Sequence, residues 1–208
     1  MPVGAVDLET TRGLVVPFLR GLTGEDWSAP VPDLEWTCER TLQHMINTAI
    51  YYAMHAATQA KSPLPYPRGP AAASGLNPTE LVTELDAAAA VLAAVIRATP
   101  RDARLVIGGT ATDPEGIAAI ACDELLIHTW DIGRGFGRVF AAPDAPLEAV
   151  IDRLFPWAPK GNPAWERFLW CNGRAALSDR PRLGPDWPRW LAPVKEWSGS
   201  DPTVAAGS

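Results

Sequence analysis

The residues best equipped for chemistry in this 208-residue chain fall in one short run, Cys122-Asp123-Glu124-Leu125-Leu126-Ile127-His128-Thr129-Trp130-Asp131. Glu124 and His128 are four apart, so on a helix both project from one face, a turn apart. Asp131 joins the same stripe seven residues beyond Glu124, and the stripe runs back through apolar Ala121 and Ile117. That pattern puts an ionisable trio on a face expected to point into a core. A buried carboxylate and imidazole need partners, and a divalent cation satisfies both. The plainer alternative is an exposed Glu–His pair on a wet face. His44, within Trp36-Thr37-Cys38-Glu39-Arg40-Thr41-Leu42-Gln43-His44, favours the metal because apolar Leu42, Met45 and Ile46 flank it on another helix. Its plainer alternative is a core histidine bonded to a backbone carbonyl. His55 returns to nearly the same face but lies about 16 Å further along at 1.5 Å per residue. It is out of reach of the same ion and reads as a surface or loop-packing histidine.

Four helices must position these groups. The first spans about 5–22 with apolar Leu8, Leu14, Val15, Phe18, Leu19 and Leu22, and Pro17 is expected to kink it or delay its start. Residues 28–35 read as an extended connector. The second helix starts at Thr37, a plausible N-cap, and runs toward Ala60. A proline-rich loop, 61–76, with Ala71-Ala72-Ala73, follows. Asn77-Pro78-Thr79-Glu80 opens the third helix with N-cap, N1 proline and N3 acid, and Thr99-Pro100 closes it. Arg104-Leu105-Val106-Ile107 reads as a strand without an evident partner. Asp113-Pro114-Glu115 opens the fourth helix, and Gly133, Gly135 and Gly137 end it. Medium-length connections between four such helices suit an antiparallel bundle. A fifth helix is expected at 145–155, opened by Asp144, and one more after Asn162-Pro163. Six of the nine tryptophans lie beyond residue 156 (Trp157, Trp165, Trp170, Trp187, Trp190 and Trp197), so that proline-rich tail is expected to wrap the bundle and bury them. The division expected is therefore 1–155, a helical bundle with the metal site, and 156–208, an extension packed on it. Residues after about 200 read as disordered.

Composition narrows the partners. A net charge of −6 and a pI near 5.1 disfavour nucleic acid. No apolar run approaches the roughly 18 residues of a spanning helix, and the first residues lack a signal-peptide pattern. Three scattered cysteines, Cys38, Cys122 and Cys171, form no disulfide framework, so a cytoplasmic protein with no membrane association is expected. Cys122 faces away from the ligand stripe and reads as a small core residue. Tyr51 and Tyr52 read as packing aromatics.

The Trp-Thr-x4-Leu-x-His start of the second helix, with Glu-x3-His-x-Trp-Asp on the fourth, resembles the DinB-like metal-binding superfamily. More narrowly, it is similar to the mycothiol-dependent maleylpyruvate isomerase type of actinobacteria. Leu22-Thr23-Gly24-Glu25-Asp26-Trp27, followed by Pro30 and Pro32, fits that family's first interhelix connection. The resemblance covers roughly residues 5–137. It implies an all-α, DinB-like four-helix bundle, with His44, Glu124 and His128 binding a divalent metal, most commonly zinc. Two imidazoles and one carboxylate leave coordination positions open, and the same set suits iron or nickel. Asp131 takes the place of the family's catalytic Asp, whose plainer role is a hydrogen bond to a ligand histidine.

The implied chemistry uses mycothiol or a similar low-molecular-weight thiol as co-substrate. A thiol on such a metal is deprotonated and nucleophilic. In isomerases it adds to a conjugated double bond, permits rotation and leaves; in transferases it stays attached or displaces a leaving group. Those isomerases are expected to carry a larger, separate C-terminal domain, whereas only 156–208 is available here, which bears on whether maleylpyruvate is the substrate. Arg174, in Phe168-Leu169-Trp170-Cys171-Asn172-Gly173-Arg174, is a candidate carboxylate clamp over the pocket; capping a helix C-terminus is its plainer role. The expected partners are a small-molecule substrate and the thiol, with a homodimer left open. Two rival functions stand beside the thiol enzyme: a hydrolase or lyase in which the ion activates water, and a non-catalytic helical metal-binding module.

Overall fold

A computed structural model of the chain describes residues 2–65, 76–184 and 189–203. Four long helices form the bundle: α1 (Ala5–Arg20), α2 (Cys38–Thr58), α3 (Pro78–Ala98) and α4 (Pro114–Gly135). α3 packs on α1 and α2, and α4 packs on the opposite side of the same pair. α4 is the central rod. It is buried along almost its whole length. A polar group on the buried faces of α4 must therefore find partners inside the protein.

The predicted caps form. Thr37 Oγ1 accepts from the Arg40 amide at 3.1 Å. Asn77 and Glu80 exchange backbone and side-chain bonds as a capping box, and Asp113 Oδ1 accepts from the Gly116 amide at 2.7 Å. Each cap satisfies an otherwise orphaned N–H and fixes where its helix begins. Two expectations need correction. Pro17 does not delay the start of α1; it lies within the helix, three residues before the end. The strand at Leu105–Ile107 (β1) does have a partner, Thr110–Thr112 (β2), paired antiparallel. Gly108 and Gly109, with φ of 56° and 87°, make the two-residue turn.

Beyond the bundle lie α5 (Asp144–Leu154), capped at Pro143 and not at Asp144, and α6 (Ala164–Cys171). α5 packs on α4, and α6 on α5. Trp157 and Trp170 are buried edge to face at 5.7 Å, and Trp170 Nε1 donates to Pro181 O. The tail then crosses back to the bundle: the Trp190 amide donates to Leu154 O, and Leu191 O accepts from both Thr112 Oγ1 (2.8 Å) and Arg153 Nη2 (3.0 Å). Arg153 also holds Asp113 Oδ1 at 2.8 Å, so the cap of α4 and the tail share one buried guanidinium. The described part of the tail packs on the bundle, but of its tryptophans only Trp157 and Trp170 are buried, while Trp165, Trp190 and Trp197 stay partly exposed. Trp187, Ala71–Ala73 and residues 204–208 lie outside the described residues. Cys38, Cys122 and Cys171 are buried and unpaired with one another. No helix among the described residues is long and apolar enough to cross a membrane.

Candidate metal centre and its cavity

α2 and α4 are distant in sequence but pack together, and they bring His44, Glu124 and His128 to one point. Glu124 Oε2 lies 3.1 Å from His44 Nε2 and 3.2 Å from His128 Nε2. One donor atom from each of the three lies within 4.8 Å of the others. A tetrahedral site with bonds of about 2.0–2.2 Å separates its donors by about 3.3 Å, so the spacing fits a shared cation. Both the exposed pair and the isolated core histidine are thereby set aside: Glu124 and His128 are buried, and His44, a third exposed, faces them and not a carbonyl.

The other expected residue of the stripe is also drawn in. Asp131 is fully buried, and its Oδ2 lies 3.0 Å from His128 Nδ1. Arg174 donates to both oxygens of Asp131, from Nε at 2.9 Å and Nη2 at 2.7 Å. The proposed clamp over the pocket is thus corrected. Arg174 spends its fork on Asp131, and Nη1 donates to Asn172 O at the C-terminal cap of α6.

Arg189 was missed in the sequence. It comes from the tail, with Nη1 3.1 Å from Glu124 Oε1 and Nη2 3.1 Å from Asp123 Oδ2. Asp123 is fully buried beside it, and its Oδ1 accepts from Asn172 Nδ2 at 2.7 Å. An arginine in irregular chain has no periodicity to betray it. The available signal was Asp123 itself, a second acid on a mostly buried helix, off the Glu124–His128 stripe and so in need of its own cation.

Burial and partners oppose each other in the electrostatics. Burial alone would raise the Glu124 carboxyl, but Arg189, His128 and His44 together hold it well below the usual range. Burial likewise works against ionised Asp131, and the hydrogen bonds from His128 and Arg174 overcome it and lower its pKa. For His128 burial disfavours the cation, yet Asp131 and Glu124 keep it protonated up to about 9. Asp123 moves the other way: desolvation raises it, in spite of Arg189. The three carboxylates Asp123, Glu124 and Asp131 face two guanidiniums, Arg174 and Arg189. With all of them ionised, one negative charge remains, and either a proton on His128 or a divalent cation answers it.

A cavity of about 380 Å³ opens beside Glu124 and His44, lined also by Trp36, Arg40, Tyr51 and Leu191. That volume suits a small organic ligand. Among the described residues no tail tryptophan lines it, contrary to what a filled, non-catalytic pocket requires. His55 is elsewhere, fully buried, with Nδ1 at Tyr51 O and Nε2 accepting from the Leu64 amide. It packs the loop after α2 and is not at the surface. Cys122 is a core residue whose thiol burial pushes up to about 12.

Residues 11–133 match the family model described as the mycothiol maleylpyruvate isomerase N-terminal domain. No curated protein sequence matches the chain. Among solved structures, the chain resembles a crystal structure of the mycothiol-dependent maleylpyruvate isomerase, at 20% identity and TM-score 0.58, covering 90% of this chain and 98% of that one. A histidine-to-alanine mutant of the mycothiol-dependent maleylpyruvate isomerase gives 18% identity and TM-score 0.55 over the same shares. These likenesses establish a shared fold. The expected size difference is not seen against that structure, since nearly the whole of its chain is covered.

Proposed function

The chain belongs to the mycothiol maleylpyruvate isomerase N-terminal domain family, and on that premise we propose a metal-dependent enzyme of thiol chemistry, a mycothiol-dependent isomerase or thiol transferase acting on a small electrophile. The observation that carries this reading is the convergence of His44, Glu124 and His128 beside an open cavity. Those three residues would hold a divalent ion, with zinc the first choice for two imidazoles and a carboxylate. A divalent ion bound there lowers the pKa of a thiol, making a thiolate available at neutral pH.

The remaining roles follow from the chain's own hydrogen bonds. Asp131 fixes the tautomer and ring orientation of His128 through Nδ1, leaving Nε2 for the cation. Its lowered pKa and its two bonds from Arg174 favour this positioning role over proton transfer. Arg174 holds Asp131 still. Arg189 occupies Glu124 Oε1 and leaves Oε2 toward the histidines, so Glu124 would bind through one oxygen. With a divalent ion in place of the His128 proton, the buried cluster of Asp123, Glu124, Asp131, Arg174 and Arg189 would pass from balanced to one net positive charge. That excess favours an anionic ligand in the cavity, as a thiolate is.

The test is turnover of maleylpyruvate by zinc-loaded protein with and without mycothiol. Conversion that needs the thiol is expected. Hydrolysis that proceeds equally without it would place the protein with the water-activating enzymes instead.

A further inference from the structure

Three arginines stand near the candidate centre, and two are committed: Arg174 to Asp131, and Arg189 to Asp123 and Glu124. The third, Arg40, differs. It lies one turn before His44 on α2, lines the cavity and is only partly buried. Its guanidinium carbon sits 5.5 Å from the Trp36 ring centroid. Trp36 in turn packs on His44, with centroids 4.9 Å apart. Among the described residues no carboxylate pairs with Arg40, and the neighbouring acid, Glu39, instead accepts from Gln43. A guanidinium bedded on an indole face loses rotational freedom while keeping its in-plane N–H fork for a planar anion.

From this geometry we infer that Arg40 is the specificity-determining residue of the cavity, and that it binds a carboxylate of the electrophilic substrate. The inference rests on the proposed function only in taking this cavity as the substrate site. Glu124 and its neighbours hold one end of the cavity, and Arg40 fixes a charged group one helical turn away, about 6 Å along α2. A neutral electrophile lacks the group that Arg40 recognises. A thiol without a carboxylate gains nothing from Arg40, so the residue should discriminate on the second substrate alone.

Calorimetric titration with maleate, a small unsaturated dicarboxylate, tests this on the zinc-treated 208-residue protein. Arg40→Gln should weaken maleate binding about 10- to 100-fold, the range for a lost charge-assisted pair. Arg40→Lys should recover part of it, and dimethyl maleate should bind the parent and Arg40→Gln proteins equally. In turnover, Arg40→Gln should raise KM for a carboxylated electrophile, with kcat and the KM for the thiol little changed. Maleate binding that is undiminished in Arg40→Gln overturns the inference, as does a parent protein that does not bind maleate. Failure of the thiol-enzyme assignment would appear separately, as no thiol-dependent turnover, while the maleate titration still decides the role of Arg40. Circular dichroism and zinc content matching the parent's exclude a folding defect as the cause of any loss.

Discussion

At the scale of single residues, the candidate centre is a contest between desolvation and pairing. Glu124, His128 and Asp131 would be costly on a buried face alone, and together with Arg174 and Arg189 they satisfy one another. His128→Ala should therefore abolish stoichiometric zinc binding, measured by elemental analysis of dialysed protein. Asp131→Asn keeps a hydrogen-bond partner for the ring but removes its charge. It should weaken zinc binding about 10- to 100-fold, the usual cost of losing an outer-shell carboxylate, as read by competition with a chelating dye. The convergence of His44, Glu124 and His128 was legible in the sequence because helical periodicity places residues four apart on one face, and because His44 had apolar neighbours. Arg189 was not legible, since its position depends on how the tail crosses the bundle. Arg174 was expected as a clamp over the pocket or a helix C-cap, and its pairing with Asp131 was not foreseen. Its fork is taken by Asp131, a pairing that spacing across 43 residues of sequence cannot reveal.

At the scale of elements, caps and turns decide where the ligands stand. Asp113 starts α4 through the Gly116 amide and also neutralises Arg153, whose side chain is almost completely buried. Asp113→Ala removes the cap and leaves buried Arg153 with only the longer pairing to Glu115, at 3.8 Å, a loss of about 3 kcal/mol. For a domain of this size each kcal/mol lowers Tm by about 2–4 °C, so thermal unfolding should show a fall of roughly 6–12 °C. Gly116 leaves no room for change either: a Cβ would meet Thr112 Oγ1 at 2.4 Å and Leu191 O at 2.6 Å. Gly116→Ala should loosen the tail's attachment and speed proteolysis beyond Leu154 while the bundle persists. The helices were readable because capping residues and apolar stripes are local signals. The hairpin was only half readable: β2 is three residues, Thr110–Thr112, too short for alternation to register. The Gly108-Gly109 pair was the sign that a turn, and so a partner strand, lay there.

At the scale of the whole molecule, the tail is part of the centre. Arg189 reaches Asp123 and Glu124 from beyond the bundle, while Leu191 lines the cavity and is tied to Thr112 and Arg153. Without Arg189, two adjacent buried carboxylates on α4 lose their cation. Arg189→Met should lower the Tm of metal-free protein, and zinc should raise the variant's Tm more than the parent's, because the ion supplies the missing charge. Equal zinc-induced shifts would separate Arg189 from the centre. The bundle was expected from its capped helices and their connections, and the wrapping tail from tryptophan and proline content, whereas the tail's delivery of a guanidinium to α4 required the packed structure. The most direct test of the central claim is anomalous diffraction at the zinc edge from crystals of zinc-treated protein. One peak within bonding distance of His44 Nε2, Glu124 Oε2 and His128 Nε2 is predicted; no peak there, or an ion held without His44, would contradict it.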